Sequence, residues 1–193
     1  MRHRSRQSDE TETIQEGGAV KQSEESTVQG QYRHIKRTFG PVYNQNSKVL
    51  ILGSFPSIKS REANFYYGHP QNRFWPLMGK ILSREIPTSI EDRKTLMLDK
   101  GIALWDTIEE CDIVGSSDAS IRNIVPVDIQ KVLKAADIAQ IYCNGSTSHD
   151  LFMRYLEPVC GRKPVKLPST SPANAAWNID RLYEVWKQIE DYL

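Results

Sequence analysis

Short apolar runs and amphipathic segments alternate along most of the chain. The runs are four to six residues long, at residues 48–53, 102–105, 139–143 and 164–167. Runs of this length are typical of strands that are buried on both faces of a sheet. Strands separated by helical patterns imply a parallel sheet with helices on both of its faces. The pattern therefore predicts an α/β fold with three layers, α/β/α, around a central, mostly parallel four-stranded sheet.

Apolar residues at helical spacing fill the intervals between these runs. They predict helices over residues 72–82, 90–100, 127–136 and 146–156, and a C-terminal helix with a stripe of Ile179, Leu182, Trp186, Ile189 and Leu193. We expect Asn72 to cap the first helix, Gly101 to end the second, and Ser146 or Thr147 to cap the fourth. Residues 106–126 show no clear period and predict a long polar loop, which in a compact domain is usually functional.

The first 31 of the 193 residues differ in composition from the rest. They contain no aromatic residue, are rich in Ser, Gln, Glu and Thr, and carry four Lys or Arg against six Asp or Glu. Such a segment buries too little apolar surface to fold, so we predict a disordered tail (residues 1–31) and one globular domain (residues 32–193). Neither a signal peptide nor a membrane span is predicted, and we expect an intracellular protein, in the cytoplasm or nucleoid or, in a eukaryote, the nucleus.

The net charge and the cysteine content restrict the kinds of ligand and site that the protein is expected to have. The formal net charge of +1 argues against a tight non-specific coat on DNA, yet it is compatible with a few phosphate contacts on one face. Cys111, Cys143 and Cys160 are widely spaced and form no C-x-x-C pair. We therefore expect no disulfide framework, no metal site and no cofactor.

The most informative segment follows the first predicted strand. It contains Gly53-Ser-Phe-Pro-Ser57 and Phe65-Tyr-Tyr-Gly-His-Pro-Gln-Asn-Arg-Phe-Trp-Pro76. A glycine at the carboxyl end of a strand permits a tight turn at the edge where α/β sheets bind ligands. The five aromatic residues, the amide and the cation of the second stretch offer stacking surfaces for a base, hydrogen bonds for its edge and a phosphate contact. This mixture suits a nucleotide that is flipped out of DNA.

These motifs resemble those of the uracil-DNA glycosylase superfamily. Gly53-Ser-Phe-Pro56 is similar to its first motif, and His69-Pro-Gln-Asn-Arg-Phe-Trp75 looks like the matching stretch of the mismatch-specific branch. Phe55, however, occupies the position at which other branches carry a water-handling Asp, Asn or Glu. Together with Tyr66-Tyr-Gly-His-Pro-Gln-Asn72, the motif is instead similar to the hypoxanthine-DNA (deoxyinosine) glycosylase branch, in which the asparagine of this segment is catalytic. The resemblance therefore implies Asn72 as the catalytic residue.

Two later segments agree with the resemblance and occur in the expected order. Ile141-Tyr-Cys-Asn-Gly145 is similar to the superfamily's base-contacting strand end, which implies that the Asn144 amide bonds the base. The alternative for Asn144-Gly145 is a simple left-handed turn. Leu167-Pro-Ser-Thr-Ser-Pro-Ala-Asn174 is similar to the superfamily's minor-groove loop.

Further residues are expected around an extruded base. Four aromatic residues are predicted to stack on it or enclose it: Phe55, Tyr66, Tyr67 and Phe74. The DNA-binding candidates are Ser54, His69, Ser169, Thr170, Ser171, Pro172, Ala173 and Asn174. Phe74 also fits the core stripe of its helix. Asp106 is an alternative water-handling carboxylate, whereas Asp118, Arg122 and Asn123 are expected to be solvated loop residues.

The resemblance implies a monofunctional DNA glycosylase that flips out and hydrolytically excises hypoxanthine, which is deaminated adenine, in base excision repair. No lysine occupies the motif positions, so no Schiff-base lyase step is expected. We expect a monomer whose partner is DNA containing deaminated bases, not a membrane. Two alternatives stay open: a uracil- or mismatch-specific glycosylase, and a non-catalytic protein that binds damaged DNA. A nucleotide-binding transferase is disfavoured, because the segment after Gly53 lacks the second glycine of a phosphate-binding loop.

Overall fold

The structure is a computed structural model that describes residues 31–193. The predicted tail, residues 1–31, falls almost wholly outside the described residues and stays a prediction. Tyr32–Leu193 form one compact unit.

Strands and helices alternate through the described residues. In chain order the strands are β1 (Arg33–Lys36), β2 (Val49–Gly53), β3 (Ile102–Asp106), β4 (Ile108–Ile113), β5 (Arg122–Pro126), β6 (Gln140–Asn144) and β7 (Val165–Leu167). The α-helices are α1 (Ile58–Ala63), α2 (Phe74–Ile81), α3 (Ile90–Asp99), α4 (Gln130–Leu133), α5 (Ser146–Leu151), α6 (Glu157–Cys160) and α7 (Ile179–Trp186). Shorter helical turns lie at Asp118–Ser120 (3₁₀), Phe152–Leu156 (π) and Lys187–Tyr192 (3₁₀).

A parallel sheet with the strand order β3-β2-β6-β7 lies at the centre of the fold. Every residue of β2 and β3 is buried, as their continuous apolar sequence predicts. Helices flank the sheet in a three-layer α/β/α arrangement. The predicted fold class and the parallel four-stranded sheet are therefore confirmed.

The prediction of a long polar loop at residues 106–126 is wrong. These residues form β4 and β5, which join β1 in an antiparallel sheet of order β1-β4-β5. The β4–β5 pairing is irregular between Ile108 and Glu110 and again between Glu110 and Asp112. The buried residues Ile108 and Cys111 are consequently three positions apart, which hides the period of two that identifies a strand.

The predicted helices form, with three differences. Only α4 is helical in residues 127–136. Residues 146–156 comprise α5 and a π-helical turn, and the N-cap is Gly145 instead of Ser146 or Thr147. Glycine suits this position because its φ of 100° is strained for other residues. On the C-terminal stripe, Leu193 is exposed, whereas the preceding members up to Ile189 are buried or half-buried.

A small apolar cluster supports the antiparallel sheet. Phe55, which follows β2, packs with Ile108, Cys111 and Ile113 of β4. All four side chains are buried. This packing holds the β4–β5 hairpin beside the carboxyl end of β2, and the turn of the hairpin thereby becomes a wall of the site described next.

Candidate active site

A cavity of about 340 Å³ opens at the carboxyl edge of the parallel sheet. The final residues of β2, β3 and β6 are Gly53, Asp106 and Asn144, and all three line it. This edge is where α/β sheets bind their ligands. Small-molecule sites measure roughly 300–1,000 Å³, so the cavity is of sufficient size for one.

Four segments complete the walls of the cavity. They are residues 54–57 after β2, the aromatic segment at Tyr66, Tyr67 and Asn72, residues 116–118 between β4 and β5, and the loop after β7 at residues 169–173. The motifs that are separated in the sequence thus meet at one place.

Gly53 allows a very close approach in this cavity. A Cβ atom added there would lie 2.4 Å from Asp106 Oδ1 and 3.8 Å from the Tyr67 hydroxyl oxygen. A larger residue would therefore displace Asp106. The φ angle of Gly53 does not lie in the left-handed region. The glycine is required for close packing more than for the tight turn that the sequence suggested.

Asn72 lies in the cavity wall at the start of α2. Its side-chain Oδ1 accepts a hydrogen bond from the backbone N–H of Phe74 at 2.9 Å, but the N-cap of α2 is Arg73 and not Asn72 as the sequence predicted. The Nδ2 group forms no hydrogen bond with residues 31–193. One lone pair of Oδ1 and the whole amino group therefore remain available in the cavity.

Three of the four aromatic candidates line the cavity, and the fourth packs behind one of them. Phe55, Tyr66 and Tyr67 line the cavity. Phe74 is fully buried behind Tyr67, with their ring centroids 3.8 Å apart and their planes 20° from parallel. We therefore assign Phe74 to the core, where it holds the Tyr67 ring.

The Tyr66 hydroxyl is fixed by two hydrogen bonds. It accepts from Arg37 Nη2 at 2.8 Å and donates to the Gly40 carbonyl at 2.9 Å. Burial raises the pKa of Tyr66 well above its usual value. Tyr66 thus contributes a rigid, neutral surface to the cavity.

Asn144 is bonded to the loop that follows β7. Its Oδ1 accepts from the Thr170 backbone N–H at 2.9 Å, and its Nδ2 donates to the Thr170 hydroxyl at 2.9 Å. Asn144 still lines the cavity, with one Nδ2 hydrogen and one Oδ1 lone pair free of these bonds. Thr170 is fully buried, so its hydroxyl does not face a phosphate, and we remove it from the DNA-binding candidates.

Arg73 holds the same loop and is not a free cation for phosphate, contrary to the sequence interpretation. Its guanidinium donates to the backbone carbonyls of Thr170 (3.2 Å), Ser171, Asn174 (3.1 Å) and Trp177. Its own backbone N–H also donates to the Thr170 carbonyl at 3.1 Å. The catalytic candidate Asn72 is thereby tied through its neighbour to the loop after β7.

The remaining DNA-binding candidates lie around the cavity mouth. Ser54, Ser169, Ser171 and Ala173 line the cavity. Pro172 is exposed, and the Asn174 side chain donates to the Ser169 carbonyl at 2.9 Å. His69 lies in a neighbouring groove, where its Nδ1 accepts from the Gln71 backbone N–H at 3.2 Å. Their contacts with DNA stay predictions.

Two carboxyl groups line the cavity, and one of them was not expected there. Asp118 was predicted in a solvated loop, but Ser54 Oγ lies 3.1 Å from both of its carboxylate oxygens. The residue is exposed overall, yet its carboxyl group turns into the cavity, where desolvation raises its pKa. Asp118 was missed because its placement depends on the β4–β5 hairpin.

The other carboxyl group, Asp106, is almost completely buried. Burial raises its pKa to about 6, although Arg37 opposes this shift. Arg37 Nη2 lies 3.6 Å from Asp106 Oδ2. Arg37 comes from the polar lead-in after β1 and carries no sequence signal that would connect it with the site.

Arg122 and Asn123 lie in β5 instead of the loop expected for them. Asn123 Nδ2 donates to Asp112 Oδ2 at 2.6 Å, and Arg122 Nε lies 4.0 Å from the same oxygen. Both residues therefore stabilise the antiparallel sheet.

Comparison with known proteins defines the class of this fold and site. The family model of the uracil DNA glycosylase superfamily matches residues 41–191. The chain belongs to that superfamily.

Two curated relatives and one solved structure are similar to the chain. A "Hypoxanthine DNA glycosylase" of Methanosarcina acetivorans is 31% identical over 160 residues, which cover 80% of this chain and 98% of the relative. One of Methanosarcina barkeri is 35% identical over 89 residues, 46% of this chain and 56% of that protein. A solution NMR structure from Methanosarcina acetivorans, described as a "putative Uracil DNA glycosylase", superimposes with a TM-score of 0.69 at 29% identity, covering 81% of this chain and 96% of its own.

Within residues 31–193, none of the helices combines the length and the apolar character that a membrane span needs. The same residues contain no cluster of three or more His, Cys, Asp or Glu side chains that is arranged to hold a metal ion.

Replacing Arg73 tests whether it holds the loop after β7. We expect Arg73→Ala to lower the free energy of unfolding by about 2–4 kcal/mol, because four partly buried carbonyls lose a charged donor. Hydrogen exchange of the amides in residues 168–177 should become faster. The matched control is Arg162→Ala, which removes a guanidinium that donates to the Ile138 and Ala139 carbonyls. The control should leave exchange in residues 168–177 unchanged, and an equal lack of effect in Arg73→Ala would contradict the assignment.

Proposed function

We propose that this chain is a monofunctional DNA glycosylase that extrudes hypoxanthine from DNA and hydrolyses its N-glycosidic bond in base excision repair. The protein acts as a monomer on DNA that contains deaminated bases. Membership of the superfamily and the names of its two curated relatives support this function.

The observation that carries the proposal is the position of Asn72. Phe55 stands where other branches place a water-handling side chain, and it is packed into an apolar cluster. Asn72 lines the same cavity, and its amide is only partly used by the hydrogen bond from the Phe74 N–H. The cavity therefore retains a polar group that is suited to holding water, although the usual motif position is apolar.

Hydrolysis of this bond passes through an oxocarbenium-like sugar and a departing base that gains negative charge. The enzyme must stabilise both of them. The cationic sugar is strongly electrophilic, so the attacking water needs positioning more than deprotonation. Asn72 Oδ1 accepts a hydrogen bond from that water while its second lone pair stays with the Phe74 N–H. We expect a modest rate, because an amide is not a base.

The base is enclosed by Phe55, Tyr66 and Tyr67, which replace part of the stacking lost on extrusion. The Asn144 amide bonds the edge of the base with the donor and acceptor that Thr170 leaves free. Around the mouth of the cavity, DNA contacts come from Ser54, His69, Ser169, Ser171, Pro172, Ala173 and Asn174.

Asn72 variants separate catalysis from the hydrogen bond that Asn72 accepts at the start of α2. We expect Asn72→Ala to abolish base release from a deoxyinosine duplex, and to cost only about 1 kcal/mol of stability for the lost hydrogen bond to the Phe74 N–H. Asn72→Ser retains an oxygen for that hydrogen bond but is too short to hold the water, so it should be stable and inactive. Single-turnover cleavage at alkali-labile sites, thermal melting and gel shift on the same duplex give the three readouts.

Gln71→Ala is the matched control, because Gln71 is the exposed neighbour of Asn72. It should cleave at close to the wild-type rate. Near-normal turnover by Asn72→Ser would remove Asn72 from catalysis. Wild-type binding to deoxyinosine DNA without abasic sites would instead identify a damage-binding protein.

A second pair of variants tests whether Asn144 contacts the base. Asn144→Asp should slow hypoxanthine release by on the order of a hundredfold, since loss of one donor to a charging oxygen costs about 3 kcal/mol. The loop should survive, because a carboxylate still accepts from the Thr170 N–H and the Thr170 hydroxyl can turn to donate. Thr170→Val, which removes that hydroxyl alone, is the control and should have a small effect on the single-turnover rate. If both variants change the rate by less than about threefold, Asn144 does not contact the base.

A further inference from the structure

Four buried side-chain atoms lack hydrogen-bond partners within residues 31–193. Three of them, Asp106 Oδ2, Arg37 Nη1 and the Tyr67 hydroxyl, belong to side chains that are grouped around Asp106, and the fourth is the indole Nε1 of Trp105. Buried polar atoms are almost always satisfied, so a group of three calls for an explanation. Asp106 and Tyr67 also line the cavity itself. The simplest explanation is that a ligand in the cavity supplies hydrogen-bond partners for Asp106 and Tyr67.

Asp106 is held in one place by its surroundings. Its strand partner Gly53 leaves room for Oδ1 that a Cβ atom would fill. On the other side, Arg37 Nη2 lies 3.6 Å from Oδ2 but donates its hydrogen bond to the Tyr66 hydroxyl. The Arg37 side chain is 2% exposed. A fixed carboxylate with a buried cation behind it therefore faces the cavity.

The Tyr67 hydroxyl lies at the same end of the cavity. It and Asp106 Oδ1 are both within 4 Å of the position that a Gly53 Cβ would occupy. Burial raises the pKa of Tyr67, so this hydroxyl stays protonated. The cavity thus offers a fixed acceptor and a donor close together.

Deamination of adenine changes the hydrogen-bonding edge of the base in a way that such an acceptor detects. Adenine carries an unprotonated N1, which is an acceptor, whereas hypoxanthine carries an N1–H donor beside its O6. An ionised carboxylate only accepts hydrogen bonds. It therefore attracts the N1–H of hypoxanthine and repels the N1 lone pair of adenine. The Asn144 amide cannot make this distinction alone, because its bonds to Thr170 leave both a donor and an acceptor free, and one or the other suits either base.

We propose that Asp106 is a specificity-determining residue that accepts the ring N–H of hypoxanthine and rejects adenine, with Arg37 as the positioning residue behind it. This role rests on the proposed function and adds to it the group that recognises deamination. It differs from the water-handling role considered for Asp106 from the sequence.

Recognition of the base by a carboxylate makes specificity depend on pH. The groups that face Asp106 are Arg37, Asp118 and the hydroxyls of Tyr66 and Tyr67. Arg37 lowers the pKa of Asp106 and Asp118 raises it. With a pKa of about 6, the carboxylate is present above pH 6 and is lost as the pH falls through that value. The kcat/KM for hypoxanthine release should therefore fall on the acid side with a midpoint near pH 6, since kcat/KM reports groups of the free enzyme.

Two oligonucleotide duplexes test the contact itself, one with deoxyinosine and one with 1-methyldeoxyinosine, which has no N1–H. The full-length wild type should release hypoxanthine at least about 100-fold faster than 1-methylhypoxanthine, because the methyl group leaves the carboxylate unpaired. Asp106→Ala makes room for the methyl group, so its two single-turnover rates should lie within about tenfold of each other. A loss of both rates by the same factor, with the ratio retained, would indicate water handling and overturn the inference.

The pH profiles of two further variants keep the test decisive if Asp106→Ala does not fold. Asp106→Asn should slow hypoxanthine release by roughly 10- to 100-fold and remove the acid limb of kcat/KM. Asp118→Asn should keep that limb and move it to lower pH, since a neighbouring negative charge is removed. An acid limb that persists in Asp106→Asn, or disappears in Asp118→Asn, overturns the role of Asp106. Wild type that releases no hypoxanthine refutes the proposed function instead.

Discussion

The parallel pairing of β2 with β3 and β6 is the constraint on which the site depends. Its register places Gly53 opposite Asp106 and Leu52 opposite Cys143, so that the carboxyl ends of the three strands lie side by side at the base of the cavity. The missing side chain of Gly53 then allows Asp106 to approach the strand end. A shift of register would separate Asp106 from Asn144 and leave the aromatic wall without the polar groups beneath it.

Elements whose signals are local were predictable from the sequence. The continuous burial of β2 and β3 follows from apolar runs, and Gly101 ends its helix in the left-handed conformation as expected. The antiparallel sheet was not predictable in this way. Bulges interrupt the alternation in β4, and its exposed partners β1 and β5 bury too few residues to show a period. Its buried residues pack with Phe55, and this contact is made only when the chain has folded.

The same distinction applies to the site. Asn72, Phe55 and Tyr67 belong to one recognisable segment, and the structure gathers them in one cavity. Arg37 enters from a segment without a pattern and becomes the buried cation beside the strand ends. Arg73 was interpreted as a phosphate contact because sequence shows the charge but not the four carbonyls that use it. Residues that act through tertiary hydrogen bonds were therefore missed or assigned the wrong partner.

Substrate preference tests the account most directly. Single-turnover cleavage by the full chain would be measured on four duplexes that differ only in one base: hypoxanthine, uracil, xanthine or 1,N6-ethenoadenine. Abasic sites would be scored after alkali treatment. We expect hypoxanthine to be released fastest, because it fills the aromatic cavity as a purine, presents a ring N–H beside a carbonyl, and lacks the second carbonyl of xanthine. Release of uracil at an equal or higher rate, or binding of hypoxanthine DNA without any abasic product, would contradict it.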